Sequence, residues 1–233
     1  MRSWFLLWLG CWASSSQLAC GTATRAISTT VGVTAGGGGQ TSDASSSTGG
    51  SLGSGGSGGT LTWPTPDGWK PETLAFPLDF APDLPYHGEE VLRFAPGFFD
   101  PKASDDWSYG FAWWVEEKAP IDGAALTDAL TKYFRGLCLA VGAGKFSFDP
   151  KHFQTSLSQG GPDDGLPGAT YQGQVDSYDA FTTGAPLTLR VRAHVFECPA
   201  ANHQVVLIGA SPAANPAPIW GELSKLLSSF HCG

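Results

Sequence analysis

Apolar and polar residues alternate with a period of two from position 187 to 196. Leu187, Leu189, Val191, Ala193 and Val195 fall on one side; Thr188, Arg190, Arg192, His194 and Phe196 fall on the other. One apolar face at that period predicts a half-buried antiparallel strand. The next stretch, 198–203, contains Pro199, which a central ladder does not accommodate, and Asn202, which tolerates positive φ, so it predicts a tight turn. Val205, Val206, Leu207 and Ile208 are apolar on both sides, as in a strand covered on both faces. Pro216 and Pro218 then suit the first turn of a helix with Asn215 as its cap. Ile219, Trp220, Leu223, Leu226, Leu227 and Phe230 make one apolar stripe along that helix. The stripe and the apolar side of the strands are expected to pack together.

Upstream the pattern is more broken. Residues 63–71 form a Pro-rich lead-in, and 76–86 is apolar but interrupted by Pro77, Pro82 and Pro85, which predicts an extended surface segment or at most an edge strand. A strand is expected over 90–94. In the next one, Trp107, Tyr109, Phe111, Trp113 and Val115 share a face opposite Ser108, Gly110, Ala112, Trp114 and Glu116. The small-residue face predicts a close approach by another element, most simply a helix. The aromatic face is expected to be core; exposed, Trp107, Tyr109, Phe111 and Trp113 would instead be a stacking platform for a sugar or planar ligand. Asp122 caps a predicted helix in which Leu126, Ala129, Leu130, Tyr133, Phe134, Leu137, Cys138 and Val141 form one broad stripe, ended by Gly142 and Gly144. Strands are expected from Phe146 to Leu157 and over 171–178, separated by a Gly/Pro/Asp loop. Short links between consecutive strands imply antiparallel pairing, hence an α+β domain of five to six strands with two amphipathic helices on the sheet.

The first 60 residues read differently. Arg2 precedes an apolar run of about ten residues, too short to span a bilayer and suited to a secretory signal. Leu18, Ala19, Cys20 and Gly21 resemble the lipobox of bacterial lipoproteins, with Gln17 where that pattern has Leu; the resemblance implies a signal over 1–20 and a lipid on Cys20. Gly21, rather than Asp, after the cysteine resembles lipoproteins sorted to an outer membrane. Ordinary cleavage near Ala23, giving a secreted or periplasmic protein, is the alternative. Residues 21–60 are rich in Gly, Ser and Thr and carry only Arg25 and Asp43 as charges, so they form a tether unable to bury a core. Its reach is about 35 Å. One domain is expected over 61–233.

A formal net charge of −8 and the lack of any basic run argue against nucleic acid or anionic lipid as the main partner. Catalytic motifs are missing. Gly142, Ala143, Gly144 and Lys145 fail the phosphate-loop pattern at Leu139 and Phe146, and they close a helix rather than open one. The acidic pairs Glu89/Glu90, Asp105/Asp106, Glu116/Glu117 and Asp163/Asp164 are adjacent residues that point to opposite sides of an extended chain, and read as solvated faces. The five histidines lack metal spacing, with His194 expected exposed or ion-paired beside Arg190 and Arg192. Ser211 is not in a nucleophile elbow, since Ala213 stands at its final position. No metal or cofactor is implied.

Setting Cys11 and Cys20 aside leaves Cys138, Cys198 and Cys232. A strand of about seven residues runs roughly 23 Å away from Cys198, and a helix of about 14 residues returns roughly 21 Å. A Cys198–Cys232 disulfide follows if the helix packs along its own strand, with Cys138 a buried thiol in the helix stripe.

The run from Val205 to Pro212, followed by Trp220 and by Ser229 and Phe230, resembles the close of PsbP-like domains. That resemblance implies an antiparallel sheet between helices, relatives among lipid-anchored bacterial envelope proteins, accessory or assembly roles, and no shared catalytic residues. The functional expectation is a non-enzymatic, membrane-tethered module binding an envelope protein or a glycan. The alternative is an exported hydrolase of esters or glycans, with a site assembled from distant residues such as Trp107, Trp113 or the acidic loop.

Overall fold

The computed structural model describes residues 61–116, 120–161 and 165–233. The signal segment, Cys20, the tether, Glu117, Asp163 and Asp164 lie outside the described residues. In chain order the elements are β1 (Leu61–Thr62), β2 (Lys70–Phe76), β3 (Gly88–Phe94), β4 (Tyr109–Val115), α1 (Gly123–Val141), a 3-10 turn (Pro150–His152), β5 (Gln154–Gln159), β6 (Ala169–Tyr178), β7 (Pro186–Cys198), β8 (His203–Ser211), α2 (Pro218–Ser228) and β9 (His231–Cys232). Seven strands form one sheet in the order β2-β3-β4-β8-β7-β6-β5, with every neighbouring pair antiparallel. Two meanders, β2–β4 and β5–β8, therefore meet where β4 lies against β8. The α+β class is as the sequence implies. The sheet has more strands than the expected five to six because the lead-in supplies β2, whose Pro71 is tolerated on an edge. β1 and β9 add a separate two-stranded ribbon.

α1 forms where its stripe requires. The Asp122 side chain accepts from the Ala125 N–H (2.9 Å), and the Gly142 N–H closes the far end on the Cys138 carbonyl. The eight expected stripe residues are its buried ones. They lie on the aromatic side of β4, with Tyr133 stacked on Phe111 (5.4 Å, 7°) and tilted against Trp113 (5.7 Å). Trp107, Tyr109, Phe111 and Trp113 are all at most 1% exposed, so this face is core and presents no platform for a ligand. Trp107 also precedes β4 rather than belonging to it, with φ 52. Segment 77–86 corrects another expectation. It does not run along the surface: Leu78, Ala81, Leu84 and Tyr86 are buried, and Tyr86 and Phe76 lie against Trp113. Its prolines exclude it from a ladder, but its apolar residues still gain from filling the core. α1 approaches this segment closely through Gly136, where a Cβ would stand 2.0 Å from the Phe80 carbonyl oxygen.

α2 covers the opposite side of the sheet over β4 and β8. Ile219, Trp220, Leu223, Leu226 and Leu227 face Ala112, Val205 and Leu207 in one apolar cluster that also holds Trp63 and Phe230. The small residue at Gly110 allows this approach, since a Cβ there would meet Leu226 Cδ2 at 2.7 Å. Trp63 Nε1 donates to the Leu226 carbonyl (2.8 Å), fixing the lead-in against the helix. Asn215 does not cap α2; the cap is Ala217, with no side-chain hydrogen bond. Phe230 lies just past the helix end but remains buried, edge-on to Trp63 and Phe196. Cys198 and Cys232 are joined in a disulfide with their Cα atoms 5.7 Å apart, and Cys138 is a buried free thiol.

Candidate functional site

One side of the sheet is sheathed by α1, segment 77–86 and the 95–108 loop. The other is roofed by α2 over β4, β8 and the His194–Phe196 end of β7. Across β7, β6 and β5 that second side carries Arg190 and Arg192, Gln172 and Gln174, and Ser156 and Ser158, brought level by the pairing of Gln174 with Arg190 and Ser156 with Gln174. These side chains, with Trp220 and Asn215 from the start of α2, line a recess of about 300 Å³. The alternating pattern of β6 and β7 produces it, because each strand sends its apolar residues to α1 and its polar residues to this side.

The electrostatics of the recess oppose those of the chain. No Asp or Glu lines it, although the protein carries a net charge of −8. Arg190 donates to the Pro212 carbonyl (2.7 Å), and Arg192 donates to Asn215 Oδ1 (2.7 Å) and Ser224 Oγ (3.4 Å) while lying 4.4 Å over the Trp220 ring. All of these partners are neutral. Among the described residues neither guanidinium has a carboxylate within ion-pair distance. Asn215 is thus a holder of Arg192 rather than a helix cap. His194, on the same strand face, is only 2% exposed. Its register partner Leu207 lies in the α2 cluster, so the roof extends over it and the expected exposed role is not found.

A second group of polar side chains is internal. Glu89 and Glu90 are not the solvated pair that the sequence implies: strand alternation turns Glu89 outward and Glu90 inward, where it is 0% exposed. Trp113 Nε1 donates to Glu90 Oε1 (3.1 Å). Burial pushes the Glu90 carboxyl up to about 8, against hydrogen bonds from Trp113 and Tyr133, with the Glu72 charge adding to the rise. Burial likewise pushes half-buried Glu72 up to about 7. Raised carboxyl pKa values mark many acid–base sites. Glu90, however, is enclosed between β3 and the aromatic core, with no surface from which substrate reaches it. The hydrolase alternative gains nothing from it.

A third cluster sits at the loops near Trp107. Asp179 accepts from the backbone and hydroxyl of both Thr182 and Thr183 and from Trp107 Nε1 (2.9 Å). Burial opposes its charge, yet these bonds outweigh burial and hold its carboxyl below the ordinary value. Burial first, and then the Asp179 charge, push Asp106 up to about 6. Ser211 pairs with Ser108 (2.8 Å) and accepts from the Ala213 N–H. These are turn-fixing networks. Among the described residues no three His, Cys, Asp or Glu side chains are grouped to hold a metal, and no helix is long and apolar enough to cross a membrane.

No protein-family model and no curated protein matches the chain. Among solved structures it is similar to LpqN, described as involved in cell envelope biogenesis of Mycobacterium tuberculosis. The match covers 77% of this chain and 87% of that one at 13% identity, with a TM-score of 0.34. Identity and superposition that low establish neither a shared fold nor a shared activity. No family model bears out the resemblance to PsbP-like domains.

Proposed function

We propose that the chain is an exported envelope protein, anchored to a bacterial outer membrane by lipid on Cys20, whose α+β domain binds an envelope partner without catalysis. The observation that supports binding is the uncovered polar half-face over β5–β7. It is recessed beside α2 and holds two arginines whose hydrogen-bond partners are all neutral. The signal-like first 20 residues, the lipobox-like stretch before Gly21 and the Gly/Ser tether support the address, and the tether would carry the recess clear of the lipid head groups.

A photo-crosslinking residue at Gln172, compared with one at Thr73 on the opposite edge strand, tests this in intact envelopes. Adducts are expected from position 172 and not from 73. Adducts from 73 alone would place the working surface elsewhere. In the same strain, Cys20→Ala is expected to move the protein out of the membrane fraction; retention there would remove the lipid anchor from the account.

A further inference from the structure

We propose that the recess over β5–β7 binds an acidic saccharide, with a sugar carboxylate received by Arg190 and Arg192. This rests on the reading of that half-face as the binding surface and adds the chemistry of the ligand.

The two arginines are two residues apart on β7, so their Cα atoms are about 7 Å apart on one side of the strand. Each is oriented by a neutral acceptor, Pro212 O for Arg190 and Asn215 Oδ1 for Arg192. Those bonds orient the guanidinium groups without neutralising them. A guanidinium carries five N–H donors, so each retains donors beyond the bonds described. A planar carboxylate matches that fork in geometry and charge.

The rest of the lining fits a sugar better than a protein. A protein contact surface is centred on exposed apolar or aromatic anchors, whereas here Ser156, Ser158, Gln172 and Gln174 offer hydroxyls and amides. Amides and hydroxyls both donate and accept, as sugar hydroxyls do. The one large ring, Trp220, is 3% exposed and covered by Arg192. A carboxylate drawing Arg192 toward the recess would uncover part of that ring for the apolar face of a sugar. The volume of about 300 Å³ is at the lower end of small-ligand sites, room for a short segment of a chain rather than a folded partner.

The test is calorimetric titration of the full-length protein with a trigalacturonate, with the neutral galactose trimer and with inorganic phosphate. Indole fluorescence is followed in parallel. The trigalacturonate is expected to bind and to change the fluorescence, with affinity falling as salt is added. Arg190→Gln, and Arg190→Gln with Arg192→Gln, are each expected to weaken it roughly tenfold or more, while Arg135→Gln, exposed on α1, leaves it unchanged. The single Arg190 variant keeps the Arg192–Asn215 contact and so guards against a folding defect in the double variant. Equal binding of the neutral trimer, indifference to both arginine variants, binding of phosphate alone, or no binding would each overturn the acidic-sugar assignment. If crosslinks still form from Gln172 in any of those cases, the half-face remains the binding surface and only the ligand class is wrong.

Discussion

Reducing the Cys198–Cys232 disulfide, or replacing Cys232 by Ser, is expected to cost about 4 kcal/mol of stability and to lower the melting temperature by about 10 °C. The bond closes a loop with a sequence separation of 34, so its loss returns considerable freedom to the unfolded chain. The folded state depends on it too. Cys232 lies in β9, which pairs with β1 through Leu61, and both flank the Trp63–Phe230 contact beneath α2. Thermal unfolding followed by circular dichroism, with and without reductant, checks this. An unchanged transition on reduction would show that the C-terminal strand is held by packing alone. Cys138→Ala should behave differently. That thiol contacts Ser177 Oγ and the Tyr178 carbonyl at 3.3 and 3.4 Å, and its removal should leave the response to reductant intact.

The second large effect concerns pH. Glu90 is fully buried, and burial raises its carboxyl from the ordinary 4.5 to about 8. Between those values the folded protein keeps a proton that the unfolded chain has released. Its contribution is therefore fully present below about pH 4.5 and is lost as pH rises through about 8. At about 1.36 kcal/mol per unit the loss is on the order of 5 kcal/mol. Half-buried Glu72, near 7, acts in the same direction but is screened by solvent and adds less. Glu90→Gln keeps an acceptor for Trp113 and removes the titration, so the variant should be more stable than the parent at pH 8 and nearly equal at pH 4. Denaturant unfolding across that range tests this. Parallel curves for the two proteins would mean that Glu90 is charged in the folded state or reached by water.

Much of this architecture was legible in the chain. The eight-residue stripe of α1 was readable because one helical period persisted over about four turns, and Asp122 and Gly142 bounded the helix. The alternation in β7 was equally plain, and it placed Arg190 and Arg192 on one polar face. The recess itself was not readable. It needs β5 and β6 beside β7, and Asn215 and Trp220 brought from the start of α2, all through contacts distant in sequence. Glu90 was misjudged for a local reason: strand alternation shows that Glu89 and Glu90 face opposite ways but not which way is inward. The aromatic strand was resolved by the small residues opposite it. Gly110 and Ala112 admitted one helix, and the second helix then closed over Phe111 and Trp113. Asn215 had two available uses, helix cap or partner for a distant arginine, and the residues before Pro216 favoured only the first.

The uncovered half of the sheet is the part proposed to be occupied in the envelope. Hydrogen–deuterium exchange of the full-length protein in native membranes, against the same protein purified in detergent, measures that directly. Added protection is expected over β5 and β6, residues 154–159 and 169–178, with β2 and β3 unchanged. Protection confined to residues 70–94, or none anywhere in the domain, would contradict it.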